Sequence, residues 1–148
     1  MQQNPKHIFG YRLGLLARHW RQEVNDAVKV LDLTEATWRP LLHLHHLGDA
    51  VRQKDLALSL GLDGSSLVRL LDMLEERGLV RRTDGADRRC KLLTLTAEGR
   101  ALTERTRAIV TALEEHMLGD LNAAEAATML ELMDRIECRM RHGREAEE

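Results

Sequence analysis

Apolar positions recur at two different periods along this chain, and the change of period locates its parts. Across Gln53 to Leu60 (QKDLALSL), Leu56, Ala57 and Leu60 fall on one side at helical spacing, with Lys54 and Asp55 on the other. Gly61 follows directly, which predicts a helix ended by a left-handed residue. Asp63 or Ser65 can cap a second helix, in which Leu67, Leu70, Leu71 and Leu74 form the inward stripe until Gly78 ends it. The period then drops to two. Leu79 to Thr83 and Cys90 to Leu95 read as short strands, Leu93 and Leu95 alternating with Thr94 and Thr96. Asp84-Gly85 makes the turn between them, and Asp87-Arg88-Arg89 lies just beyond it. Helix, tight turn, helix and basic hairpin, in that order, predict a winged helix-turn-helix, an architecture that reads duplex DNA.

Longer helical stripes flank this head. Phe9, Leu13, Leu16, Trp20, Val24 and Leu31 recur at three, four or seven, as in a long amphipathic helix. Toward the other end, Leu102, Ile109, Leu113 and Met117 form one stripe. Met129, Met133, Ile136 and Met140 form another, spaced as in a coiled-coil seam. Asn122 with Glu125 three residues later marks a capping box between those two helices. A small head cannot bury three such stripes alone, whereas intertwined helices of two copies can. The expected fold is therefore mainly α with a small antiparallel β-wing, in one domain over 1–148. Residues 33–96 form the winged helix-turn-helix; 9–32 and 97–142 are dimerisation helices of a homodimer. Two heads about 34 Å apart suit a palindromic operator.

Length and charge refine this picture only slightly. A chain of 148 residues is long enough for one domain with a real core. The formal charge is −2, so no overall basicity announces nucleic acid. Its distribution says more. Residues 51–91 carry nine Lys/Arg against seven Asp/Glu, net +2, while 92–148 carry seven against twelve, net −5. That asymmetry fits a localised DNA contact. No apolar run nears the roughly 18 residues that span a bilayer, and two cysteines cannot build a disulfide scaffold, so a cytoplasmic setting is expected. No phosphate-binding glycine loop, dinucleotide fingerprint or paired C-x-x-C occurs, no acid/base pair is found, and no cofactor or enzyme activity is expected. Aromatic residues, at 3%, are too sparse to stack single strands.

The residues expected to meet DNA sit at the starts of the two helices and on the wing. Gln53 and Lys54 open the first helix of the motif. Ser65, Ser66, Val68 and Arg69 occupy the outward turns of the second, the end that enters a major groove. Hydroxyls can meet phosphates or bases, Val68 a thymine methyl, and Arg69 a guanine or phosphate. Arg88 and Arg89 stand on the hairpin tip, and an arginine there suits the narrow, electronegative minor groove. Asp87 is placed to brace Arg88. A winged helix that docks proteins instead would tend to lose these polar and basic positions, and this chain keeps them.

In order along the chain, Leu33-Thr34 opening a helix, SSLVRLLDMLEERGLV at 65–80, DRR at 87–89 and LTLTAEG at 93–99 resemble the MarR family of bacterial transcription regulators. Leu33-Thr34 through Trp38, together with SSLVRLLDMLE, most resembles its SlyA-like branch. The resemblance spans about Phe9 to Met140. It implies a homodimer with the element order α-α-β-α-α-β-β-α-α, a short first strand near Ala50-Val51, a recognition helix starting near Ser65, and Arg88 in the minor groove. Many relatives carry proline or glutamine where this chain has Gly64-Ser65. The resemblance also implies an effector, a small aromatic or phenolic anion held between the dimer helices and the head. Arg18 and Arg21, three apart, can clamp a carboxylate. Trp38 is expected as an aromatic wall, with Leu42 and His45 on roughly the same face. Leu42 stands where some relatives have histidine.

HLHHL at 43–47 invites an alternative, a zinc-responsive regulator. His43 and His46 share a helix face and could bind zinc with a carboxylate from another segment, yet no such ligand sits beside them in sequence, so no metal residue is assigned. Cys90 in a wing strand and Cys138 in a terminal helix read as inert small hydrophobes.

Overall fold

The computed structural model describes residues 4–87 and 89–145, with side chains described through His142. Six helices and three short strands follow one another as α1 (Pro5–Val28), a single 3-10 turn (Lys29–Leu31), α2 (Glu35–Leu47), β1 (Val51–Arg52), α3 (Gln53–Leu60), α4 (Gly64–Glu76), β2 (Val80–Asp84), β3 (Lys91–Leu95), α5 (Ala97–Met117) and α6 (Ala123–Glu145). The fold is thus mainly helical with a small antiparallel sheet, in the order that the sequence predicts.

Helix α1 begins four residues before Phe9. The Asn4 side chain accepts a hydrogen bond from the Lys6 amide at 3.0 Å, and Pro5 fills the first helical position, where no amide donor is needed. Thr34 stands at the N-cap of α2 with an extended backbone. The strands pair as β1-β3-β2, Val51 opposite Leu93 and Val80 opposite Leu95. Strand β2 runs one residue later than its predicted bounds, because the Arg81–Thr94 to Asp84–Lys91 pairs extend the hairpin to the Gly85 turn.

Contacts divide the chain into two compact units, one through Thr111 and one from Ala112 on. In the first, Leu41, Leu44, Val51, Leu56, Leu60, Leu67, Leu71, Leu74, Leu79, Val80, Leu93 and Leu95 form one core. The leucine stripes of α3 and α4 enter it, as their spacing requires. Gly99 closes this packing. A Cβ built on it would lie 2.0 Å from the Leu79 carbonyl oxygen, so only glycine lets α5 approach the β2 entry this closely. Thr96 reinforces the junction, its hydroxyl donating to the Gly78 carbonyl at 2.6 Å and accepting from the Gly99 amide at 3.0 Å.

The second unit holds the end of α5 and all of α6. Asn122 and Glu125 cap α6 reciprocally: each side chain accepts from the other's backbone N–H, at 3.0 and 2.9 Å. No described residue of α6 is buried, and Met133, Ile136 and Met140 are 37%, 39% and 58% exposed. Phe9, Leu13 and Leu16 at the start of α1 are likewise exposed.

Candidate nucleic-acid interface and effector cluster

Helix α4 is built to expose its first turns. Asp63 caps it, one carboxylate oxygen accepting from the Ser66 amide at 2.7 Å and from the Ser65 hydroxyl at 2.8 Å, the other from the Ser66 hydroxyl at 3.1 Å. These bonds, the Ser66 amide foremost, hold the Asp63 carboxyl below its ordinary value. They also fix both hydroxyls at the helix start. Leu67, Leu71 and Leu74 point into the core, leaving Ser65, Ser66, Val68 and Arg69 exposed. Gly61 turns the chain between α3 and α4 with a left-handed backbone (φ 66°).

A groove of about 970 Å³ runs between α3, the start of α4 and the wing. The more buried Leu62, Leu67 and Leu92 line its floor, and its rim carries Arg52, Lys54, Arg89 and Lys91 with the exposed Leu58. Gln53 lines it too. The structure therefore brings Gln53, Lys54 and Arg89 to one groove and sets Ser65, Ser66, Val68 and Arg69 on the helix whose first residue, Gly64, borders that groove. Arg88 lies outside the described residues. Asp87 accepts from the Arg89 amide at 3.0 Å, which fastens the tip. Arg52 and Lys91 were not singled out in the sequence. Arg52 pairs with Asp55 at 3.0 Å and Lys91 with Asp84 across the hairpin, so their charges look like local pairs until the fold puts them on the rim.

The wing is locked to α4 by one arginine. From β2, Arg82 donates through Nε to Glu75 at 2.9 Å and through its terminal nitrogen to Asp72 and Glu75, both at 2.6 Å. Its backbone amide also donates to Glu75 at 3.1 Å. Arg82 holds the Glu75 carboxyl below its usual range. This is a bidentate, shared geometry, stronger than an isolated surface pair.

The residues expected to bind an effector divide into two places. Arg21, half-buried on α1, lies 3.5 Å from the Glu35 carboxylate. Arg39 reaches the same Glu35 oxygen at 3.3 Å and the Leu60 carbonyl at 3.4 Å. Trp38 is 7% exposed, and its indole N–H donates to Asn25 at 2.6 Å. The ring is thus packed inward and bonded to Asn25, not the open aromatic wall that the family resemblance implied. Arg18 is exposed one turn before Arg21, and Leu42 is half-buried. His45 sits elsewhere, in a cleft of about 400 Å³ with Leu95, Asp49, Arg100 and Glu104, its Nδ1 3.9 Å from Glu104. Glu35 and Asn25 escaped the sequence reading. The Glu35–Arg39 spacing of four was a signal; nothing local linked Asn25 to Trp38.

The zinc alternative finds no support. Among the described residues no three His, Cys, Asp or Glu side chains are placed to hold a metal. His43 Nδ1 is 2.6 Å from the Ser59 hydroxyl, and burial, then Arg39 and His46, push its pKa down, so it is neutral near pH 7. No described helix is long and apolar enough to cross a membrane.

Comparison with known proteins decides the family. The MarR family model matches residues 31–89. The crystal structure of a transcriptional regulator of the MarR family from Rhodococcus sp. RHA1 is 30% identical, covering 91% of this chain and 96% of its own, with a TM-score of 0.80. The chain belongs to the MarR family. The transcriptional regulator PA3341 is 36% identical over 90% of this chain and 98% of its own, with a TM-score of 0.84. CouR from Rhodococcus jostii RHA1, solved bound to p-coumaroyl-CoA, is 30% identical over 91% and 95%, with a TM-score of 0.78. Solved MarR-family structures also include a complex with operator DNA. The exposed α4 turns of this MarR-family chain lie within the matched segment, and its groove extends three residues beyond it, to Leu92.

Proposed function

We propose that this chain is a SlyA-like homodimeric repressor that reads a palindromic operator in duplex DNA in the cytoplasm and is released by a small aromatic or phenolic carboxylate. Residues 33–96 form the reading head, and 9–32 with 97–142 form the dimerisation helices. The observation that carries the DNA reading is the exposed Ser65-Ser66-Val68-Arg69 turn of α4 beside a groove rimmed by four cations. Cations on a groove rim favour phosphates, and a helix start with short polar side chains fits a major groove. Arg88 and Arg89 extend the reach to the minor groove.

The terminal stripes support the dimer. Met133, Ile136 and Met140 on α6, with Phe9, Leu13 and Leu16 on α1, leave more apolar surface uncovered than an isolated chain in water favours. Arg18 and Arg21, with the half-buried Leu42, carry the effector reading; Trp38 is packed inward against Asn25 and His45 lies in a separate cleft. CouR, solved with p-coumaroyl-CoA, binds the CoA thioester of a phenolic acid, which shares a phenolic ring but not a free carboxylate with this class.

Fluorescence anisotropy on the DNA upstream of the protein's own gene, against excess non-specific DNA, tests this reading. Nanomolar binding that survives the competitor is expected. Arg69→Ala and Arg89→Ala should each cost about 1–3 kcal/mol in operator binding. Binding that the competitor abolishes, in wild type and variants alike, would remove the specific reader.

A further inference from the structure

Two arginines and one carboxylate meet where α1 passes α2, with a third arginine one turn back on α1. Arg21 and Arg39 both approach one oxygen of Glu35, at 3.5 and 3.3 Å, and the Asn25 amide approaches the other at 3.5 Å. Arg18 stands three residues before Arg21 on the same helix face. Positive charge is therefore in excess. Each of these contacts is long for a charge-assisted hydrogen bond, which is usually about 2.7–2.9 Å. The Arg21 and Glu35 side chains are 42% and 41% exposed, so a solute can reach them. Glu35 is held loosely, by shared partners, in the open.

From the same glutamate the contacts run on to the DNA-reading motif. Arg39 donates to the Leu60 carbonyl at the end of α3, directly before the left-handed Gly61 that sets the angle into α4. Asn25 is anchored on the other side by the buried indole of Trp38 at 2.6 Å. One carboxylate thus ties α1 to the turn between the two helices of the motif.

We propose that Glu35 is an internal stand-in for the effector anion, and that a ligand carboxylate works by taking Arg21 from it. The proposal rests on the effector reading given above. A carboxylate arriving at Arg18 and Arg21 replaces one anion by another, with no unpaired charge created. Glu35 is then held by Arg39 and Asn25 alone and shifts toward them, and Arg39 exchanges its weak bond to the Leu60 carbonyl for a closer pair with Glu35. The turn at Gly61 loses its tie, and the setting of α4 relaxes. The exchange of one anion for another sets the effector's charge: the ligand must carry a carboxylate or like anion that Arg18 and Arg21 can hold, such as a monocyclic carboxylate. A neutral amide of the same shape cannot displace Glu35.

The test uses the full-length protein, its operator and salicylate as the probe. Without any ligand, Arg39→Gln removes the bond to the Leu60 carbonyl and should weaken operator binding about fivefold or more, the lower end of ordinary allosteric coupling. It should also shift the amide resonances of Gly61 and Leu62. Glu35→Gln takes away the carboxylate that would draw Arg39 off that carbonyl, so without ligand it should leave operator binding no weaker, and it should blunt the release of operator by salicylate. By calorimetry Glu35→Gln should bind salicylate about fivefold tighter than wild type, because Arg21 is free, and Arg21→Ala should lose the binding; salicylamide should bind neither protein.

Unchanged operator affinity and unchanged Gly61 and Leu62 resonances in Arg39→Gln would overturn the relay, whether or not salicylate binds. Salicylate binding to wild type that Glu35→Gln does not strengthen would overturn the competition while leaving the effector reading intact. Absence of salicylate binding to wild type and Glu35→Gln alike would remove the effector reading and the competition together, and the ligand-free arm would still decide the relay.

Discussion

Two single residues carry backbone demands that no contact pattern in the sequence announces. Ala50 adopts a left-handed backbone (φ 54°) just before β1. Such a conformation costs a non-glycine residue roughly 1–2 kcal/mol. Ala50→Gly should therefore raise stability by up to about 1 kcal/mol in urea denaturation, since some of the gain is lost to the freer unfolded chain. Gly99 is the opposite case. Its neighbour is the Leu79 carbonyl oxygen, 2.0 Å from where a Cβ would stand, and backbone cannot swing aside as a flexible side chain can. Gly99→Ala should lower stability by about 3 kcal/mol or more, a value that falls with the severe overpacking cases. A melting temperature within a degree or two of wild type would show that α5 can shift off β2. In the sequence Gly99 is only a glycine inside a helical stretch that the LTLTAEG resemblance covers. Its packing partner is twenty residues away and cannot be read locally.

The helices and the wing are the level at which sequence and structure agree best. The leucine spacing in α4 gave the buried face, Gly61 and Gly78 gave the breaks, and Asn122 with Glu125 gave the cap of α6. Each of these is a local rule, so a single chain is enough to apply it. The Arg82 clamp escaped because its partners, Asp72 and Glu75, lie ten and seven residues back across a turn. The clamp and the Asp63 cap make the relation of α4 and wing sensitive to acid. Glu75 and Asp63 both have folded pKa values below their unfolded ones. Their contribution is full above the ordinary carboxylate range and is lost as pH falls through the lowered folded values. His43 is also depressed, by burial first, so protonation favours the unfolded chain as pH falls below its ordinary value of about 6.5. All three push the same way: stability should decline as pH drops from 7 toward 3, beginning with His43. Urea midpoints measured across that range should show His43→Gln with a flatter slope between pH 7 and 5; an identical slope would mean His43 contributes nothing.

At the scale of the whole chain, the apolar stripes at both ends were legible from periodicity alone; the structure buries Val24 but leaves Phe9, Leu13, Leu16, Met133, Ile136 and Met140 exposed in a single copy. Replacing Met133 and Ile136 together by glutamate should leave the core of the first unit folded, because none of its residues lies on α6. Sedimentation should then find monomer, with operator affinity reduced by at least about tenfold because two joined heads gain avidity over one. A dimer that survives the double substitution would move the interface elsewhere. The cluster around Glu35 was the least legible feature. Arg18, Arg21 and Trp38 were drawn from resemblance to the family, whereas the contacts that join them to the head pass through Asn25 and Glu35. Those depend on where α1 meets α2, which only the assembled chain defines.

The residues proposed to meet DNA and the exposed stripes of α1 and α6 share no side chain. Genetics should be able to separate them. A copy carrying Arg69→Ala and Arg89→Ala keeps every stripe residue and stays free to pair with wild-type chains. Expressed beside the normal gene, it should sequester normal subunits into pairs with one blind head. Such an allele should behave as a dominant negative, derepressing a reporter placed under the operator in proportion to its dosage. Adding the Met133 and Ile136 substitutions to the same copy should return it to recessive.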